Sequence, residues 1–191
     1  MLICRIAQMW AQRVNSSHFR SITLVTPLLF TQEFAMKFHH IVEINDPLNP
    51  LIDSLSREQI WRGLVLRAEN PKLFMPHLDR CELLERTENS VVRELHYGTL
   101  KIRDTVLYFP QDKVEYRVPP QTDIPASSLT MSIQEPQPEY LQVRFDYDDG
   151  TVETAGSMDG FYNEFRHSAY KEADLDTISL IRELAEDGKL D

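Results

Sequence analysis

Two charged residues, Arg93 and Asp104, stand where a strand pattern predicts apolar side chains. Each lies in an alternating segment whose same-parity neighbours are apolar, so both charges are expected on the inward face. A tight turn at Gly98 joins the two segments and can bring the charges together. Three interpretations stay open: a structural ion pair, polar groups that hold a ligand head group, or outward residues displaced by a bulge. His40 and Tyr116 are weaker candidates of the same kind.

The rest of the chain carries no sequence pattern typical of catalysis. It contains no GxSxG elbow, no glycine-rich phosphate loop and no HExxH motif. Glu164 and His167 have the spacing of a di-iron helix motif, but only one copy exists, so we expect a solvated helix face. The acidic run at 146–150 lacks the spacing of a calcium loop and is interpreted as a hairpin turn, and Cys81 as a small core residue. The sequence therefore predicts no catalytic residue, no metal and no cofactor.

Composition restricts the classes of partner. The 191-residue chain carries a formal net charge of −10, which disfavours binding to nucleic acid and to anionic membrane surfaces. Its two cysteines cannot build a disulfide framework, which fits a reducing cytoplasm. No apolar run approaches the roughly 20 residues that a membrane span needs. We therefore expect a cytoplasmic protein that neither binds nucleic acid nor inserts into a membrane.

The segment 1–35 differs from the remainder of the chain. Its three arginines face a single glutamate, so it is basic while the rest of the chain is acidic. It could be a targeting peptide, a structured extra element, or an extension upstream of a natural start at Met36. Because Met36 directly precedes a strand-like segment, we favour the last interpretation and expect a disordered or misassigned extension over residues 1–35. Residues 36–191 then form one folded domain.

Alternating apolar segments predict about seven antiparallel strands. They cover residues 37–45, 79–86, 90–97, 99–109, 113–118, 128–134 and 139–147, and short turns join most neighbours. A capping box at Ser56 and Gln59 opens a short helix, and a second short helix or turn covers residues 68–74. A proline-free helix follows at 157–187. This order predicts an α+β helix-grip fold, in which a strongly curved sheet wraps around the long C-terminal helix.

The long helix presents an apolar stripe with small residues at its centre. Ala169 and Ala173 occupy positions where a filled core normally places Leu or Ile. They either leave a cavity or let the helix dock closely on the sheet, and the sequence does not separate these alternatives. A ligand in such a cavity would contact inward residues, and the candidates are Arg93, Leu95, Ile102, Asp104, Tyr116, Met131, Phe145, Phe161, Phe165 and Ala169.

The segment that runs from the Ser56 cap into the second strand has the most specific sequence of the chain. It reads LSREQIWRGLVLRAENPKLFMPHLDRCELLER over residues 55–86, and ELHYGTLKIRDTVLYFP follows over residues 94–110. With this element order, residues 37–191 resemble the START-like, birch-pollen-allergen-like (SRPBCC) superfamily. More narrowly, they resemble a family of small bacterial and fungal proteins related to acetylaranotin-cluster protein L. The resemblance implies a deep apolar cavity, in which relatives bind lipids, hormones or polyketides and a minority catalyse cyclisation or hydrolysis.

Three functions follow as hypotheses. The first is non-enzymatic binding of a small hydrophobic or amphipathic molecule, lipid-, polyketide- or aromatic-like, by a monomer or homodimer. The second is a cyclase or hydrolase that acts on a polyketide-type substrate, with Asp104 as acid or base and Arg93 orienting an anionic oxygen. The third is a protein-interaction module, which a large exposed apolar patch around Trp61 would favour.

Overall fold

Seven strands and two α-helices follow one another in the order that the sequence predicts. The computed structural model describes residues 35–49, 51–122, 124–152 and 159–190, and at residues 35, 36, 150–152 and 159–163 it describes the backbone alone. The elements are β1 (Ala35–Glu43), α1 (Arg57–Glu69), a 3-10 turn (Pro71–Leu73), β2 (Arg80–Arg86), β3 (Ser90–Tyr97), β4 (Leu100–Phe109), β5 (Lys113–Val118), β6 (Ser127–Gln137), β7 (Tyr140–Val152) and α2 (Asp159–Glu186).

The strands form one open antiparallel sheet in the order β1-β7-β6-β5-β4-β3-β2. From β2 to β7 each strand pairs with the next one in the chain, and β1 pairs with β7 at the far side. Short connections build such a meander because they can join only antiparallel neighbours. Gly98, at a φ of 59°, lies in the turn between β3 and β4, in a conformation that glycine adopts without strain. The predicted α+β helix-grip fold is confirmed.

The capping box predicted for α1 is present. The Gln59 amide donates to Ser56 Oγ over 3.1 Å, and the Ser56 amide donates to Gln59 Oε1 over 2.9 Å. Two backbone donors that the helix leaves unpaired at its start are thereby satisfied. At its other end Asn70 is followed by Pro71, which has no amide hydrogen to continue the helix. Both ends of α1 are therefore encoded locally in the sequence.

Helix α1 packs closely on α2 at Gly63. A Cβ atom built at this position would lie 2.7 to 2.9 Å from three side-chain carbons of Ile181, which is itself fully buried. Only a residue without a Cβ permits this approach. The loop before α1 is held by Asn45, whose side chain accepts from the Leu55 amide and donates to the Leu55 carbonyl. These contacts place α1 between the sheet and α2.

The buried face of α2 is rotated relative to the predicted stripe. Ala169 is buried as predicted, with Thr177 and Leu184 buried on the same helix, but Phe165 is 48% exposed, so its predicted inward position is wrong. The buried face instead includes Asp174, which has a relative exposure of 0%. A search for apolar periodicity passes over a carboxylate, because burying one requires partners that the pattern does not reveal.

Strand β7 continues through the acidic run that was interpreted as a hairpin turn, so that interpretation is wrong. Asp148 pairs with Lys37 of β1 on one side and with Ser128 of β6 on the other. A strand with a partner at both edges extends further than its own sequence suggests. The charge of Asp149 is met by an ion pair with Arg166 of α2.

Several predictions concern residues outside the described ranges. The N-terminal segment lies there apart from Ala35, where β1 begins, and so do residues 153–158, which precede α2. Phe161 lies in the first turn of α2, where the backbone alone is described. Among the described helices, none has the length and apolar character needed to cross a membrane.

Candidate functional site

The inward face of β3 and β4 carries a buried ion pair between Arg93 and Asp104. The two residues are directly opposite each other in the register, with exposures of 1% and 3%. Arg93 Nε and Nη2 donate to the two carboxylate oxygens over 2.9 Å and 2.5 Å, and Nη1 donates to the Ala68 carbonyl over 2.6 Å. Burial would lower the pKa of Arg93, but hydrogen bonding to Asp104 and its charge raise that pKa above the ordinary value. Arg93 therefore binds both Asp104 and α1, and both oxygens of Asp104 accept from Arg93.

This ion pair lies at the boundary of two apolar clusters. Along β3, the larger cluster includes Val91 on one side of Arg93, and the smaller cluster includes Leu95 and Tyr97 on the other. Ile102, which pairs with Leu95, is half-buried against the smaller cluster. The interior is therefore two apolar regions divided by a polar group, an arrangement that suits an amphipathic occupant.

A second buried arginine, Arg67, lies close to Tyr116. Its guanidinium carbon is 5.3 Å from the centroid of the Tyr116 ring, and that of Arg93 is 5.1 Å from the same ring. Both distances suit a cation–π contact. Arg67 is 5% exposed, and its Nε has no hydrogen-bond partner in the described part of the chain. Arg67 therefore differs from Arg93, whose donors are used.

Three more polar residues meet between the sheet and α2. His40 Nε2 of β1 lies 2.6 Å from Asp174 Oδ2, and the Tyr147 hydroxyl of β7 donates to both Asp174 oxygens over 2.8 Å. Burial and the charge of Asp174 raise the pKa of Tyr147 well above its ordinary value, so Tyr147 stays a donor at neutral pH. These contacts explain why a carboxylate is tolerated on the buried face of α2.

Aromatic rings surround this cluster. Tyr147 stacks on Tyr170 of α2 with centroids 4.2 Å apart, and His40 stacks on Phe145 at 5.2 Å. Phe145 is the direct cross-strand partner of both His40 and Met131, so these side chains form one row on the inward face. The apolar row holds His40 in place beside Asp174.

The described interior leaves several polar atoms unsatisfied. The hydroxyls of Tyr108 and Tyr116 and the Nε of Arg67 are shielded from solvent and find no hydrogen-bond partner among the described residues. Nearly all buried polar atoms in native proteins have a partner, so each exception requires an explanation. These three atoms are therefore polar groups of the described interior that the fold itself does not explain.

Comparison with known families decides the family. The model of the acetylaranotin biosynthesis cluster protein L family matches residues 42–188, which is more than half of the chain. The chain belongs to this family. A comparison with curated proteins finds no match.

Solved structures similar to this protein L family member share its fold. The Zhui aromatase/cyclase from a Streptomyces species is 16% identical, with a TM-score of 0.54 over 80% of this chain and 94% of the other. The di-domain aromatase/cyclase StfQ of the steffimycin biosynthetic pathway is 13% identical, with a TM-score of 0.58 over 79% of this chain and 51% of the other. Ara h 8.0201 is 9% identical, with a TM-score of 0.53 over 78% and 98%. These similarities show a shared fold, which is the fold that the predicted START-like, birch-pollen-allergen-like class implies.

The structure brings some of the predicted site residues of this family member together and separates others. Arg93, Asp104 and Tyr116 are in contact, with Leu95 and Ile102 beside them. Met131 and Phe145 are fully buried in the row that contains His40, Ala169 is buried on α2, and Phe165 is exposed. Whether any of these residues binds a ligand stays a prediction.

Sequence reasoning missed Arg67, Tyr147 and Asp174. Arg67 lies three residues after Leu64 and seven after Ile60, so it shares the apolar face of α1, and this spacing is a signal that could have found it. Tyr147 has the same parity as Phe145 on β7. For Asp174 no local signal exists, because its partner His40 is 134 positions away in the chain.

The outer face of the sheet has a group that could hold a metal ion. Glu82, Glu94 and His96 offer ligand atoms that lie within 4.8 Å of one another. Glu94 is already paired with Arg103 at 3.2 Å and Glu82 with Arg80 at 2.8 Å. Arginine side chains already pair with these two carboxylates, so their charge does not require a metal ion.

The surface near Trp61 is a small cleft. About 220 Å³ lies between α1 and the C-terminal residues Lys189 and Leu190. Trp61 is half-buried and packs against the main core, so it does not form the exposed patch that would favour the interaction-module hypothesis.

Proposed function

We propose that this chain binds a small amphipathic molecule, without catalysis, in the interior between the sheet and α2. The observation that carries the proposal is the set of buried, unpartnered polar atoms on Tyr108, Tyr116 and Arg67. Each unmade hydrogen bond of this kind costs about 1 to 3 kcal/mol of stability. A bound molecule that forms hydrogen bonds with these atoms would offset that cost. The adjoining apolar clusters would contact the hydrophobic part of the molecule.

The comparisons support the same class of ligand. The family is named after a biosynthetic gene cluster, and two of the similar structures are named aromatase/cyclases. A lipid-, polyketide- or aromatic-like molecule therefore suits the proposal. The cytoplasmic location and the monomeric or homodimeric state stay predictions from the sequence.

Native mass spectrometry of the purified full-length chain tests binding directly. We expect a native mass that exceeds the denatured mass by a few hundred daltons, with the excess lost on denaturation. Nile red, a neutral apolar dye, should also fluoresce in the presence of the folded chain and be displaced by the extracted molecule. Equal masses together with no response of the dye would contradict the proposal.

Removing one unpartnered hydroxyl separates a ligand role from a structural one. Tyr116→Phe should weaken ligand binding but leave the free energy of unfolding unchanged or raise it by about 1 kcal/mol, because the lost hydroxyl has no partner to lose. Tyr147→Phe is the matched control, since it removes a hydroxyl that donates to Asp174 and should destabilise the fold. A destabilised Tyr116→Phe variant would show that the hydroxyl serves the fold.

A second function, acid–base catalysis, is favoured by one observation. His40 is held by a buried carboxylate, an arrangement that orients an imidazole for proton transfer. It suits this role better than Asp104, both of whose oxygens accept from Arg93.

An enolisable β-diketone tests for this chemistry. If the chain catalyses proton transfer, exchange of the diketone's acidic hydrogen in heavy water should be accelerated, and His40→Gln should remove roughly 100-fold or more of the acceleration. Exchange that is equally fast with His40→Gln would contradict catalysis by this residue.

A further inference from the structure

Arg67 is a buried cation that makes no direct ion pair in the described chain. It lies on the apolar face of α1 with 5% exposure, and its guanidinium carbon is 5.3 Å from the centroid of the Tyr116 ring. Its neighbour Arg93 shows how the same fold satisfies a buried arginine, with a bidentate carboxylate and a backbone carbonyl. Desolvating a guanidinium without a carboxylate partner is costly, so its retention here calls for a partner beyond the described residues.

Both buried carboxylates of the described residues are already in use. Asp104 is bound by Arg93, and Asp174 is bound by His40 and Tyr147. Burial lowers the pKa of Arg67, but attraction to Tyr116, Tyr147 and Asp174 outweighs burial, so the group stays charged. The cation therefore has room for a direct partner.

The chemistry of the donors indicates which partner suits them. A guanidinium presents planar N–H donors that match the two oxygens of a carboxylate. The hydroxyl of Tyr116 donates to no described residue, and its ring lies beside the same guanidinium. The apolar cluster that contains Ile60 and Leu64, on the same face of α1, lies next to this polar group. An acidic head group on an apolar body fits both surfaces.

We propose that Arg67 anchors the carboxylate of an amphipathic organic acid, with the Tyr116 hydroxyl as a second donor. This assignment rests on the proposed function, because it names the class of molecule that would occupy the same interior. The body of the acid can be an alkyl chain or an aromatic system, and the experiment includes both.

Matched acids and neutral analogues test the anchor by isothermal titration calorimetry. The probes are decanoate against 1-decanol and 2-naphthoate against 2-hydroxymethylnaphthalene, each titrated into the full-length chain. We expect at least one of the two acids to bind more tightly than its alcohol by about 10- to 100-fold, which corresponds to charge-assisted hydrogen bonds. Whichever pair shows the difference identifies the aliphatic or the aromatic class.

Two arginine substitutions on one helix make the comparison specific. Arg67→Met should remove the preference for the acid and leave binding of the alcohol within roughly 2-fold. Arg62→Met is the control, because Arg62 lies on the exposed side of α1 and pairs with Glu58, so the net charge changes equally while the interior does not. This control should retain the full preference.

The outcomes separate the two proposals. If Arg67→Met retains the preference for an acid, or if the native chain binds each alcohol as tightly as its acid, the anchor is overturned while interior binding stands. If no probe binds and native mass spectrometry shows no bound molecule, both proposals are overturned. If Arg67→Met does not fold, Arg67→Lys provides the second variant, which keeps the charge but not the bidentate geometry. Retention of the full preference with lysine would overturn the bidentate anchor.

Discussion

At the scale of single residues, the interior is organised by how completely each charge is satisfied. Arg93 and Asp104 form hydrogen bonds with each other, and Asp174 forms hydrogen bonds with His40 and Tyr147. A buried ion pair can be replaced by apolar residues with little loss of stability, whereas removal of one partner leaves an unpaired buried charge and strongly destabilises the fold. This difference predicts opposite results for single and double substitutions.

Asp104→Asn should lower the free energy of unfolding by about 3 to 5 kcal/mol, because it leaves the charge of Arg93 buried and unpaired. Urea denaturation of the purified variant measures the change. Glu135→Gln is a matched control, since Glu135 pairs with Arg57 at the surface and its loss should cost less than about 1 kcal/mol. The double variant Arg93→Met with Asp104→Leu should recover most of the stability. Equal, small effects of Asp104→Asn and Glu135→Gln would contradict this account.

At the scale of elements, α1 contacts α2 at Gly63, a residue without a side chain. The approach of α1 to α2 at Gly63 brings the backbone of α1 against the side chain of Ile181. Glycine is the poorest helix former except proline, costing about 1 kcal/mol relative to alanine, so a glycine inside α1 disfavours the isolated helix. Tertiary packing is the gain that offsets this local cost.

Gly63→Ala should therefore destabilise the protein although it favours the helix. The added methyl would overlap Ile181, and overpacking of a buried site costs about 1 to 3 kcal/mol, more than the gain in helix propensity. Because both γ carbons of Ile181 lie within 2.9 Å, rotation about its first side-chain bond does not remove the overlap. The cost should shrink in an Ile181→Ala background, measured as a double-mutant cycle by denaturation. A stabilised Gly63→Ala variant would show that the two helices separate freely.

At the scale of the whole molecule, the fold buries tyrosine hydroxyls under α2. Burial and nearby carboxylates raise the pKa of Tyr170 to about 12 and that of Tyr147 well above its ordinary value. In the unfolded chain both would titrate near their ordinary value of about 10. Below about pH 10 both the folded and the unfolded chain hold these protons. The two tyrosines then add no pH dependence to the free energy of unfolding.

Alkaline pH should destabilise the protein, in part through these two residues. Above about pH 10 the unfolded chain binds fewer protons than the folded one, so the free energy of unfolding falls as pH rises, by about 1.4 kcal/mol per pH unit for each tyrosine. Urea denaturation at about pH 8 and about pH 11 measures the slope, and ultraviolet absorbance of phenolate follows the ionisation. Tyr170→Phe should remove one tyrosine's share of the slope. An unchanged slope in this variant would contradict a raised pKa for Tyr170.

The sequence alone determined most of the fold because its rules are local. Alternation of apolar residues located β3 and β5 to the residue, the capping box located the start of α1, and strand parity placed Arg93 and Asp104 on the inward face. Short turns between the strands then required an antiparallel meander. Each of these inferences depends on residues that are close in the chain.

Only the tertiary structure decided which other polar residues lie inside. Asp174 is buried because His40 and Tyr147, from two different strands, meet it, and apolar periodicity therefore predicted a different face for α2. Strand β7 extends through its acidic end because it has neighbours on both sides, and Arg67 makes no ion pair among the described residues because Asp104 and Asp174 are bound elsewhere. Burial of a charge depends on the sum of its contacts, and those contacts come from distant parts of the chain.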